Sequence, residues 1–246
     1  DVGQGDAVFV RSAGHLALID TGPLPERLEN CMAELGVERI DLLVLTHYDL
    51  DHVGGAAAVI GRVDTVFVGP SGDPEDDRLH ARFAAAGADV RQVSRGPSGL
   101  FGELRWKVLW PPQRLVGFEP GNPASVTVEF NGVGECANGC LSSIFLGDLG
   151  RDAQNRLLAA GPVGPVDVVK VAHHGSADQS DRLYARLGAV VGAIGVGAEN
   201  GYGHPTEPSL AILAAVGTVP VRTDTSGLIL IAPGSDPGTV RVWTQH

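Results

Sequence analysis

Cysteine, methionine, tryptophan and tyrosine are scarce in this chain, with 3, 1, 3 and 3 copies in 246 residues. Cys136 and Cys140 share one Gly/Asn-rich stretch and lack the second ligand pair of a zinc ribbon. They read either as a disulfide closing a hairpin, which would imply an oxidising compartment, or as two free thiols. Cys31 stands alone and reads as a small core residue. Lysine is confined to Lys107 and Lys170. Positive charge is short overall, since the formal net charge is −11. That argues against a generic polyanion binder and against a stable complex with nucleic acid, because phosphate affinity comes largely from Lys and Arg. No basic stripe with interleaved aromatics is visible. No apolar run approaches the roughly 18 residues of a membrane span. Internal repeats and low-complexity segments are also missing.

What is present is an ordinary globular composition, 43% apolar with a mean hydropathy of +0.09. The length suits one domain over residues 1–246. The chain opens at Asp1 without an initiator Met or a signal peptide, so it reads as a domain excised from a longer protein.

Short apolar strands alternate with helical stretches. Ala7–Arg11 and Leu16–Asp20 pair around a turn at Ala13-Gly14. Strands are also expected over Leu42–Thr46, Thr65–Val68, Asp89–Val93, Leu104–Trp110, Ser125–Phe130, Ser143–Leu146, Val166–Ala172 and Ala189–Val196. Helices are expected over Glu26–Leu35, Gly55–Ile60, Glu75–Ala86, Arg151–Ala160, Asp181–Leu187 and Pro208–Val216. The end is β, over Val219–Arg222, Leu228–Ile231 and Thr239–Trp243, and Asn131–Gly139 reads as an irregular insertion. Two β-rich halves, each with helices, predict an α/β fold of the αββα type. Two mixed sheets pack face to face and the helices cover the outer faces.

The chemistry concentrates in His47-Tyr48-Asp49-Leu50-Asp51-His52, just past the buried strand ending at Leu45. Four metal-competent side chains fall within six residues there. A C-terminal strand edge is where α/β sheets place sites, and imidazole with carboxylate suits zinc or manganese. A solvated turn with helix caps does not call for two His flanking two Asp and then Gly54-Gly55. Three further segments end strands in the same manner: Leu146-Gly147-Asp148, Val171-Ala172-His173-His174-Gly175-Ser176, and Tyr202-Gly203-His204-Pro205. Singly, each is more often structural.

Together these segments resemble the metallo-β-lactamase superfamily, whose motif His-x-His-x-Asp-His the first loop matches with one departure. Asp49 stands where the second His is usual, and the harder oxygen shifts preference toward manganese over zinc. Leu18-Ile19-Asp20-Thr21-Gly22 resembles the first motif, with Asp20 buttressing the loop from behind. Asp148 matches the Asp that bridges both metals. The His usual before that Asp is missing; Asn122-Pro-Ala-Ser125 occupies its place, and His80 is rejected as a surface-helix residue. More narrowly, Asp1-Val-Gly-Gln-Gly-Asp6, the paired His motif and Arg222-Thr-Asp-Thr-Ser-Gly-Leu-Ile229 resemble the C-terminal domain of the ComEC family of competence DNA-uptake channels. The likeness spans nearly the whole chain.

The resemblance implies two divalent ions, manganese ahead of zinc. His47, Asp49, His173 and Asp148 would hold one; Asp51, His52, His204 and Asp148 the other. An exchange of His173 with His174, or a place for His204 behind the ligands, stays open. Such a pair would acidify a shared water for attack on a phosphodiester, with His174 or a metal-bound water as the acid. Asp51, Asp148 and His174 are thus the expected catalytic residues. Lys170, Ser176 and Asn200 are candidate phosphate contacts, although Lys170 reads equally as a strand-end surface lysine. Asp6 and Gln4 sit either behind the site or in a structural turn. The implied role is a nuclease domain outside the lipid on the extracytoplasmic face, joined to the rest of a membrane channel and degrading the non-transported strand of incoming DNA. Two other classes compete: a small-ester hydrolase on the same scaffold (phosphocholine esterase, thioesterase or lactonase), favoured by the acidic charge, and a non-catalytic DNA-handling domain that lost its metals.

Overall fold

The structure is a computed structural model that describes residues 2–236 and 238–246. Asp1, the first residue of the Gly-rich opening motif, lies outside the described residues. Among the described residues fourteen strands run in chain order. They are β1 (Val8–Ser12), β2 (His15–Ile19), β3 (Ile40–Leu45), β4 (Val63–Val68), β5 (Asp89–Gln92), β6 (Ser98–Phe101), β7 (Leu104–Trp110) and β8 (Thr127–Gly132), followed by β9 (Ser143–Phe145), β10 (Val168–Lys170), β11 (Val191–Ile194), β12 (Val219–Arg222), β13 (Ile229–Pro233) and β14 (Val240–Thr244). The helices are α1 (Pro25–Glu34), α2 (Leu50–Val53), α3 (Pro74–Ala85), α4 (Arg151–Ala160), α5 (Asp181–Leu187), α6 (Glu207–Ala215) and α7 (Thr223–Ser226).

The first sheet has the order β1-β2-β3-β4-β5 and the second β12-β11-β10-β9-β8-β7-β6, with β13 and β14 as a separate hairpin. Strands β2 to β5 are mutually parallel, as are β9 to β12, while β6 to β9 alternate. Both sheets are therefore mixed, and the αββα sandwich expected from the sequence is what forms.

Period-2 alternation within each strand sorts the core into layers. In β2 and β3, Ala17, Ile19, Leu42 and Val44 face the second sheet and meet Val108, Val126, Val128, Phe130 and Phe145. Their neighbours Leu18, Leu43 and Leu45 face the other way, onto Leu28 and Met32 of α1 and Phe83 of α3. In the second sheet, Ile144 and Val169 turn outward onto Leu157 of α4, Leu183 of α5 and Leu213 of α6. Helix α3 starts with a full capping box, Asp73 accepting from the backbone of Glu75 while Asp76 reaches back.

Strand β6 has no counterpart among the strands expected from the sequence. Its Gly99 is there because a Cβ would collide with the Trp106 ring of the neighbouring strand, at 2.7 Å from Cζ2. Cys31 is half-buried rather than a core residue, since Leu28 and Met32 take the inward positions of α1. The irregular insertion narrows to a turn at Gly134–Asn138, and Cys136 is disulfide-bonded to Cys140 across it.

Phe130 is fully buried between the sheets, edge-on to both Phe101 and Phe145. Phe130→Ala should lower the unfolding free energy by about 3–5 kcal/mol in urea titrations, with the slope of the transition unchanged.

Candidate metal centre

Because β2 and β3 are parallel neighbours in one sheet and β9 and β10 in the other, their C-terminal ends share one edge of the sandwich, and the chain leaves each of the four ends carrying a polar side chain. Asp20 follows β2, His47 follows β3, Asp148 follows β9, and His173 and His174 follow β10. The antiparallel β8 begins at the same edge, so Ser125 arrives there too.

Three imidazoles are aimed by their outer nitrogens. His52 Nδ1 donates to Asp20 Oδ2 at 2.8 Å, and His174 Nδ1 donates to the Gly195 carbonyl at 2.7 Å. Thr46 Oγ1 gives its proton to Asp20 at 2.7 Å, so at 3.1 Å from His47 Nδ1 it accepts from that ring. Each Nε2 is left pointing inward. Around Asp148, His52 Nε2 lies at 3.3 Å, His174 Nε2 at 3.5 Å, His173 Nε2 at 3.8 Å and His47 Nε2 at 3.9 Å. Asp49 sits 3.5 Å from His47 Nε2, and Asp51 sits 3.1 Å from His174 Nε2. His52 Nε2 and His174 Nε2 face each other at 3.2 Å, an arrangement two lone pairs cannot hold without a proton or a cation between them.

The same donors fit divalent ions. His47 Nε2 and Asp148 Oδ1 are buried and have no hydrogen-bond partner, an expensive state for polar atoms unless something else coordinates them. His47, His52 and Asp148 bring ligand atoms within 4.8 Å of one another. Imidazole nitrogens mixed with carboxylate oxygens are a donor set for zinc, manganese or iron.

The backbone is strained where the donors are aimed. Asp20, His173 and His174 adopt φ of +58°, +48° and +51°, each at a cost of order 1–3 kcal/mol for a non-glycine residue. Hydrogen bonds offset that cost. Asp20 accepts from Thr46 N at 2.7 Å, and His173 N donates to the Gly147 carbonyl at 3.1 Å. Beneath the paired histidines, Gln179 donates to the carbonyl of Ala172 and accepts from Gln154 and Tyr184. Gln154 occupies a core-facing position of α4, the one signal by which sequence reading could have found this network. Ser125 Oγ accepts from Asp148 N at 3.1 Å, so the segment standing where the usual His is missing supports the Asp148 backbone instead.

The Gly-rich opening loop wedges in from the side. Asp6 N donates to the Asp51 carbonyl, and the Asp6 carboxylate lies 3.3 Å from His174 Nδ1. Gly5 has φ +136°, and a Cβ there would strike the Asp51 carbonyl. Asp6 thus sits behind the site rather than in a free turn, with Gln4 accepting from Gly197 N at 3.2 Å.

Several expected contacts go elsewhere. Lys170 is not a surface lysine and does not reach the mouth of the site. It is 3% exposed and its ammonium pairs with Asp6 Oδ2 at 2.6 Å, because a buried carboxylate needs the nearest cation. Ser176 is buried and accepts from Gln179 Nε2. Asn200 is spent on its own loop, donating to the carbonyls of Gly197 and His204 and accepting from His204 N. His204 stands outside the cluster, 5.6 Å from the His173 ring centre, while His174 takes the place beside Asp51 that was expected of it. His80 bonds the Tyr48 hydroxyl at 2.7 Å, away from the carboxylates.

The family profile described as the metallo-beta-lactamase superfamily matches residues 1–193. The chain belongs to that superfamily. ComE operon protein 3 of Bacillus subtilis (strain 168) is 29% identical to it, over 100% of this chain and 34% of the relative. Competence protein ComA of Neisseria gonorrhoeae is 32% identical, over 95% of this chain and 32% of the relative. This ComEC-like superfamily domain therefore spans about a third of the length of the curated relatives it matches. Among solved structures, CmlA, a diiron beta-hydroxylase from Streptomyces venezuelae, superposes with a TM-score of 0.60 at 17% identity, over 99% of this chain and 53% of that one. That likeness establishes the shared fold. Among the described residues, no helix is long and apolar enough to cross a membrane.

Electrostatics among these side chains are set by charge pairing. Burial disfavours the cationic forms of His52 and His174, but the carboxylates of Asp148 and Asp20, and of Asp6, Asp148 and Asp51, outweigh it and hold both pKa values well above the imidazole range. Burial likewise opposes the anionic form of Asp148, and His52 and His174 overcome it, holding that pKa well below the carboxylate range. Asp6 is lowered despite burial, by Lys170 and His174. His204 is lowered, first by burial and then by His173 and His174.

These directions fix a sign. Stability from protonated His52 and His174 is present below about pH 6.5 and lost as pH rises through their higher folded values. Stability from ionised Asp148 is present above about pH 3.9 and lost as pH falls through its lower folded value. The melting temperature of the EDTA-treated chain should therefore fall as pH is raised above about 6.5. Added manganese should reverse that slope, because ligand binding requires the same imidazoles deprotonated. Separately, Asp6→Ala strands the Lys170 ammonium in the interior and should cost about 3–5 kcal/mol in urea unfolding, whereas Lys170→Met with Asp6→Leu should recover most of it.

Proposed function

We propose that this chain is a two-metal phosphodiesterase acting on DNA, the nuclease domain of a competence channel, where it degrades the strand that is not transported. The observation that carries the reading is the convergence of four imidazoles on the buried Asp148 carboxylate, two from each sheet, within 3.9 Å. The curated relatives, named as competence proteins, support the biological setting.

In this reading His47, Asp49, His173 and Asp148 hold one ion, and Asp51, His52, His174 and Asp148 hold the other, with manganese favoured by the extra carboxylate Asp49. Bound divalent ions acidify a water and offset the charge that develops on a phosphoryl group. The chain's own residues do the rest. Asp20, Thr46 and the Gly195 carbonyl fix the His52, His47 and His174 rings by their Nδ1 sides, so those Nε2 atoms converge without rearrangement. Asp148 is shared between the two halves of the cluster and is steadied through its backbone by Ser125. His174 has both nitrogens committed, so it is not free to protonate the departing oxygen. The rest of the channel would be covalently joined to this domain, on the extracytoplasmic face. The Cys136–Cys140 disulfide supports an oxidising compartment.

The formal net charge of −11 favours one alternative, a small-ester hydrolase with the same centre. The manganese-loaded chain should cleave plasmid DNA and bis-p-nitrophenyl phosphate, and Asp148→Ala should lower both rates at least about 100-fold. Cleavage of a thioester or lactone with both phosphodiesters left intact would transfer the assignment to the alternative.

A further inference from the structure

Tyr202 is 74% exposed, more than any other large apolar side chain among the described residues. Its ring lies over His204, with centroids 5.9 Å apart and planes 25° apart. His204 in turn lies 6.5 Å from His174, with planes 24° apart. Three rings, each tilted about 25° from the next, thus step from solvent down to the imidazole that faces Asp51 and Asp148. The loop presenting Tyr202 is braced rather than loose, since the Asn200 side chain bonds backbone groups on both sides of it. A large ring fixed in water and left uncovered gains little from burial, so the loop's rigidity holds it out for something else.

We propose that Tyr202 is a positioning residue that stacks on an unpaired nucleobase beside the scissile phosphodiester, so that the site takes single strands and frayed ends in preference to intact duplex. This rests on the phosphodiesterase reading and narrows its substrate. Inside a duplex both faces of a base are covered by its neighbours; an unpaired base offers a free face that extends the ladder Tyr202–His204–His174 outward. Stacking also supplies what the chain's charge does not. With a formal net charge of −11 and Lys170 buried against Asp6, attraction for the phosphate backbone is weak. Base–aromatic stacking is insensitive to sequence and needs no cation from the protein.

Two measurements test this. The first compares competitive inhibition of the manganese-loaded chain by thymidine 5′-monophosphate and by deoxyribose 5-phosphate, which lacks the base. The nucleotide should bind about tenfold more tightly. Tyr202→Ala should bring the ratio to about one, and Tyr202→Phe should preserve it. The second uses the metal-free chain and a single strand with uncharged methylphosphonate links carrying one 2-aminopurine. The wild type and Tyr202→Phe should quench its fluorescence, Tyr202→Ala should not, and the same probe in blunt duplex should give no change. A ratio near one in the wild type, or quenching that survives Tyr202→Ala, overturns the proposal. A chain that hydrolyses no phosphodiester at all removes the phosphodiesterase reading, while the fluorescence measurement still decides on stacking.

Discussion

Everything at the active edge answers to one buried carboxylate. Asp148 is 2% exposed and reaches four imidazoles. An anion in such a place is tolerated only if cationic partners surround it. His52 and His174, whose cationic forms the surrounding carboxylates favour, face it. The shell behind these rings is built to keep them aimed. Asp20 turns through a left-handed backbone to grip His52 and Thr46, and Asp6 steadies His174 while being steadied by Lys170. Acidic and basic groups thus alternate outward from Asp148, so no buried charge in this chain of contacts is left without an opposite.

The sheet topology makes that possible. Parallel neighbours bring successive strand ends to one edge, and two sheets packed face to face bring two such edges together. One half of the donors leaves β3 and the other leaves β9 and β10. Close backbone approach then matters more than side-chain choice. The opening loop must pass between the Asp51 carbonyl and Gly195, and glycine at position 5 is what the space permits.

Much of this was legible in the residues. The layers follow from alternating apolar positions, and the donors follow from strand-end motifs whose order along the chain is as informative as their composition. What could not be read was orientation. Paired histidines at 173 and 174 look interchangeable in sequence. Only the left-handed turn decides that His174 points inward, onto the Gly195 carbonyl, and His173 sits nearer the surface. Lys170 looked like a phosphate contact because strand-end lysines usually reach water; its partner Asp6 is 164 positions away in sequence, and no local pattern announces it. Strand β6 was hidden by its glycine, which serves Trp106 on the adjacent strand and not a turn.

The division of donors between the two sheets has a mechanical consequence. His47 and His52 hang from one layer, Asp148 and His174 from the other, and they meet across the seam. A cation seated among them would rivet the layers at that edge, while the hydrophobic seam holds them along the rest of their length. Since residues far apart in the chain must dock before the rivet hole exists, a loosened seam would be felt first as a loss of grip on the ion.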